Sequence, residues 1–93
     1  MLTLEDCIAL STLTAEEIDA IAEHEHIPEI VAAELGAYLV TTASGERRIK
    51  RMIRDDIEHA RAHGDFAHAA RLKLVLKHFI AMHRPAPAAA PQR

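Results

Sequence analysis

The sequence predicts an all-α fold: a small bundle of four main helices plus a short N-terminal helix, ending in an antiparallel αα-hairpin. Three observations carry this expectation. Cap and stop residues punctuate the chain at helical intervals, and apolar residues recur at helical period. A chain with no Trp, one Tyr and two Phe must also build its core from aliphatic side chains and alanine, which suits closely packed helices. At 93 residues, 49% of them hydrophobic, it is long enough for one core but short for a deep substrate cleft as well.

The elements follow in order. Thr3 can cap a short helix reaching about Leu10, with Asp6 complementing its start. In Leu13-Thr14-Ala15-Glu16-Glu17-Ile18, Thr14 and Glu17 match a capping box, and Leu13 and Ile18 occupy the positions of a hydrophobic staple. The helix they open should run from Ala15 to about Glu25. Pro28 fits the first turn of the next helix and biases Ile27 out of the helical region, so the chain should bend at His26-Ile27. That helix is expected over Pro28 to Thr42. Ser44 can then cap a helix from Gly45 to about His63, Gly64 ends it in the left-handed conformation, and Asp65 caps a last helix to about His83. Residues 1–84 thus form the helical domain, and 85–93 a flexible Pro/Ala-rich tail without apolar periodicity.

At about 100° per residue, Ile49, Ile53, Asp56, Ile57 and Ala60 share one side of the helix from Gly45. His68, Leu72, Val75, Leu76, Phe79 and His83 share one side of the last helix. These stripes should form the hairpin's core, with His68 and His83 as hydrogen-bonded core residues. The helix from Pro28 is apolar nearly all round: behind its Val31-Leu35-Tyr38 stripe lies a small-residue face of Ala33, Gly36, Ala37 and Val40. Ala70, Leu74 and Ala81 lie on the opposite side of the last helix from its core stripe. Small-residue faces let helix backbones approach closely, so these seven residues are the expected interaction surface, for another protein or for a second copy in a homodimer.

The net charge of −3 conceals a split. Residues 1–45 hold nine acids and no Lys or Arg; residues 46–93 hold five acids and all eleven bases, giving −9 and +6. Such asymmetry fits a partner of opposite charge or mutual neutralisation within one fold. The basic patch Arg47, Arg48, Lys50, Arg51 and Arg54 could face phosphates. Local compensation is at hand in the i, i+4 pairs Arg51/Asp55 and Arg54/Glu58 and in the acidic first half. Acids at 16, 17, 19, 23 and 25 would repel DNA from a recognition helix there, so nucleic acid is not expected as a partner.

Seven histidines raise a transition-metal alternative, with Zn or Fe as the ion. His59 and His63 stand at i and i+4, the spacing by which one helix offers two ligands, and His68 follows just across the Gly64-Asp65 turn. Glu23 and His26 have the Glu-x-x-His spacing of carboxylate-bridged di-iron bundles, which need more such elements than this chain holds. Glu34 is the expected buried carboxylate. Cys7 is alone and flanked by acids, which does not favour a thiolate nucleophile. No phosphate-binding Gly-rich loop or Ser/His/Asp constellation is recognisable, and the chain is not expected to be an enzyme. No secretion signal or membrane span is evident, and a cytoplasmic location is the default expectation.

Ile53 to Phe79, with Gly-Asp-Phe-Ala-His-Ala-Ala-Arg-Leu-Lys at 64–73, resembles the UVR-type helical hairpin of excision-repair and related adaptor proteins. The resemblance covers under a third of the chain and implies at most protein–protein interaction. The expectation is therefore a small non-enzymatic interaction protein, an accessory or regulatory subunit. The alternative is a metal-binding bundle using His and Glu ligands.

Overall fold

A computed structural model describes residues 13–83. Among them are four helices and no strand: α1 (Ala15–Glu25), α2 (Glu29–Leu39), α3 (Ala43–Ala62) and α4 (Phe66–Met82). The short helix expected near residues 3–10 and the tail from 85 lie outside the described residues.

α1 starts as its sequence specifies. The Glu17 amide donates to Thr14 Oγ1 at 3.1 Å, and the Thr14 amide donates to Glu17 Oε1 at 2.9 Å, which satisfies two end donors reciprocally. The staple residues Leu13 and Ile18 are both buried. α1 ends at His26, whose φ of 57° is left-handed, and the Ile27 amide reaches back to the Ala22 carbonyl at 3.2 Å.

α2 is shorter than expected, beginning at Glu29 and stopping at Leu39 instead of Thr42. The β-branched run Val40-Thr41-Thr42 is a poor continuation. Its hydroxyls also have other work: Thr41 donates to the Tyr38 carbonyl at 2.7 Å, and Thr42 caps α3 by accepting the Gly45 amide at 3.0 Å. The cap of α3 is therefore Thr42 and not Ser44, and Gly45 lies inside the first turn. Glycine is required there, because a Cβ on Gly45 would stand 1.9 Å from the Leu39 carbonyl oxygen. The α3–α4 junction follows the expected plan: Gly64 has φ 76°, and Asp65 accepts the His68 amide at 3.2 Å.

The expected core stripes of α3 and α4 are largely inward. Ile49, Ile53, Asp56, Ile57 and Ala60 of α3 are buried, as are Leu72, Val75 and Phe79 of α4. His68, Leu76 and His83 are half-buried. On α2 the expectation is reversed at two of the three stripe residues, while Leu35 is half-buried against the core. Val31 and Tyr38 are exposed, while Ala32, Ala33, Gly36 and Leu39 face the core. Gly36 explains why, since a Cβ there would lie 2.5 Å from Leu13 Cδ1 and 3.1 Å from Ile21 Cδ1. The small residues serve close packing of α2 against α1 inside the bundle.

α3 and α4 form the most extensive helix pairing, and α1 touches all three other helices. Burial of Ile18, Ile21, Ile49, Met52, Ile53 and Phe79 among these elements supplies the hydrophobic stabilisation. No helix among the described residues is long and apolar enough to cross a membrane.

Candidate functional site

Among the described residues two carboxylates are buried, Glu17 and Asp56, and neither is Glu34, which α2 turns outward. Glu17 is fully engaged: besides the Thr14 amide, its Oε2 receives His78 Nδ1 at 3.0 Å. Asp56 is 4% exposed, and its Oδ2 is buried with no hydrogen-bond partner among the described residues. Sequence period alone puts Asp56 there, since it occupies a core position of α3 between Ile53 and Ile57.

Asp56 lines a cleft of ≈ 270 Å³ between the C-terminal end of α1 and the middle of α3, together with Glu23, His24, His26, Asp55 and His59. Imidazoles already engage two of its carboxylates. His24 Nε2 lies 3.1 Å from Asp55 Oδ2 while its Nδ1 lies 2.7 Å from Glu25 Oε2, and His68 Nε2 of α4 lies 2.9 Å from Glu23 Oε1. Both His24 nitrogens thus face carboxylates, which only accept, an arrangement suited to the imidazolium. Burial opposes that charge, but the bonds to Glu25 and Asp55 and the nearby Asp56 carboxylate outweigh it and raise the His24 pKa above 6.5. For Asp56, burial and the charges of Glu23 and Asp55 outweigh the opposing influence of His24 and His68, pushing its pKa from 3.8 up to about 7.

The six residues of the metal alternative are not gathered into one site. Glu23, His26 and His59 line the cleft, His68 is bonded to Glu23, and Glu34 is exposed on α2. His59 and His63 are exposed, with ring centroids 4.2 Å apart, but His63 Nδ1 donates to the His59 carbonyl at 2.8 Å. No group of three His, Cys, Asp or Glu among the described residues is arranged to hold a metal ion. Of the other cleft residues, His24 belongs to the Glu23-His24-Glu25-His26 run and Asp56 has an Asp-x-x-His spacing to His59, but no ligand spacing suggests Asp55. They enter the cleft through contacts between helices distant in sequence.

The expected interaction residues also divide. Ala33 and Gly36 are buried and cannot present an outer face, whereas Ala37 and Val40 are half-buried. Ala70, Leu74 and Ala81 are exposed on α4, Leu74 at 69%. In the basic patch, Arg47, Arg48, Arg51 and Arg54 are exposed and Lys50 is half-buried. Arg47, Arg48 and Arg51 line a second, shallow cleft with Tyr38, Thr42 and Ser44. The expected partners of Arg51 and Arg54 face elsewhere: Asp55 meets His24, and Glu58 meets Arg61 at 3.5 Å. Comparison with protein-family models, curated proteins and solved structures finds no match to this chain.

Proposed function

We propose that this chain is a non-enzymatic helical interaction module, an accessory or regulatory subunit that works through the outer face of α4. The observation that carries the reading is Leu74, 69% exposed on a helix whose opposite side is core. Ala70 and Ala81 extend the same face, and Arg71, Lys73 and Lys77 flank it. An apolar strip with basic margins suits a helix with an apolar stripe and acidic margins. The proposed partner is a second copy. The exposed Glu16 and Asp19 of α1 supply the acidic margin, and a two-fold dimer makes each such contact twice. The antiparallel pairing of α3 and α4 belongs to this proposal, supported by the short Gly64-Asp65 turn between them.

Light scattering over a concentration series tests the reading. The expected result is a concentration-dependent dimer that Leu74→Glu returns to monomer without unfolding. A monomer at every concentration, unaltered by Leu74→Glu, overturns it.

A further inference from the structure

We propose that the cleft between α1 and α3 is a binding site for a guanidinium group, anchored by Asp56. The inference is independent of the α4 surface. It starts from an imbalance: of the three carboxylates lining the cleft, Asp55 and Glu23 already receive imidazole donors, and Asp56 receives none from the described residues. Asp56 is more than nine-tenths buried, and a buried acceptor without a donor is unfavourable enough that structures rarely leave one. What the cleft lacks is a donor.

The chemistry of that donor is narrowed by the geometry. A transition metal needs three or four protein ligands at about 2.0–2.2 Å, and among the described residues no three candidate side chains are so placed. A donor-only organic cation needs hydrogen bonds of about 2.8 Å and tolerates carboxylates spread over two helices. Reaching a buried oxygen means shedding water, and guanidinium is more weakly hydrated than ammonium. Its planar fork can also bond Asp56 and a neighbouring carboxylate together, and a cleft of ≈ 270 Å³ suits a small planar head.

Protonation should control the site. Above pH 7 the Asp56 carboxylate faces it as an anion, beside the carboxyl groups of Asp55 and Glu23. On acidification Asp56 gains its proton, with the imidazoles of His24 and His26 of α1, His59 of α3 and His68 of α4 facing the same region. Guanidinium affinity should therefore rise with pH.

Titration of the full chain at about pH 8, followed by amide NMR shifts, tests this with methylguanidinium and with a blocked peptide containing one arginine. Butylammonium and zinc chloride serve as competitors. Expected are saturable shifts confined to residues near 23–26 and 55–59, weakened about tenfold by Asp56→Asn and about tenfold near pH 5.5. Equal affinity for both guanidinium probes assigns the site to free guanidines; tighter binding of the peptide assigns it to an arginine of a partner protein. Should Asp56→Asn fail to fold, Glu23→Gln, at an exposed position, provides the comparison and should weaken binding severalfold. The proposal is overturned by no saturable shift at tens of millimolar probe. It is equally overturned by binding unchanged in the carboxylate variant, or by butylammonium or zinc binding more tightly than guanidinium.

Discussion

Glu17 and His78 meet across 61 positions of sequence: the imidazole Nδ1 lies 3.0 Å from Glu17 Oε2, while Oε1 of the same carboxylate accepts the Thr14 amide at 2.9 Å. One side chain, with no solvent exposure, thus closes the first turn of α1 and ties that turn to α4. Because a carboxylate only accepts, Nδ1 carries the shared proton.

Removing His78 should strand a buried oxygen. His78→Ala is expected to destabilise by about 1–3 kcal/mol, and Glu17→Ala by more, since it also removes the cap bond. In a double-mutant cycle read by urea unfolding, the two should be coupled by about 1 kcal/mol. Purely additive effects would show that the contact contributes nothing.

Asp56 should make stability fall with rising pH. Its folded pKa, raised from 3.8 to about 7, means that the folded chain holds this proton more tightly than the unfolded chain. The contribution is complete below about pH 4 and is lost as pH rises through 7. Asp56→Asn should therefore be more stable than the parent at pH 8, by about 1–3 kcal/mol, with the gain vanishing near pH 4. Unfolding curves at the two pH values check this; a gain independent of pH contradicts the raised value.

His24 acts in the opposite charge state but in the same pH sense. Its raised pKa places its stabilising effect below about pH 6.5 and removes it as pH climbs through the folded value. His24→Gln should cost stability at pH 5.5 and have little effect at pH 8.5. An equal loss at both values would assign the residue a packing role only.

The glycines at the two ends of α3 should respond differently to alanine. Gly45→Ala drives a Cβ toward the Leu39 carbonyl, and about 3 kcal/mol of destabilisation is expected from overpacking against backbone. Gly64→Ala meets open space but must hold φ near 76°, for a cost of about 1–2 kcal/mol. Thermal melts of both variants give the ranking.

What the sequence disclosed and what it withheld divide by distance along the chain. The Thr14/Glu17 box, the left-handed Gly64 and the Asp65 cap are chemistry between residues at most four apart, and they were legible. The choice between Thr42 and Ser44 was not, because it turns on how closely Gly45 passes the end of α2. The core face of α2 escapes the sequence for a related reason: bulk points to Val31 and Tyr38, but close approach of α1 selects Ala33 and Gly36. The site was hidden most. Asp56 could be seen as a polar residue in an apolar stripe, yet His24 with Asp55 and His68 with Glu23 are joined across 31 and 45 positions, which no local spacing reveals.

The histidine clasps should also form in a definite order. α3 and α4 are adjacent in sequence and share the largest pairing, so their union closes a short loop and needs little search. Each clasp on α1 spans a much longer loop, and all three have imidazole as the donor. α1 should then be the last helix to dock and the first to lift away, and in native-state hydrogen exchange its amides should open at lower free energy than those of α3. The guanidinium cleft, having one wall on α1, would exist only after this final step, so an occupant would act as a latch on completed assembly.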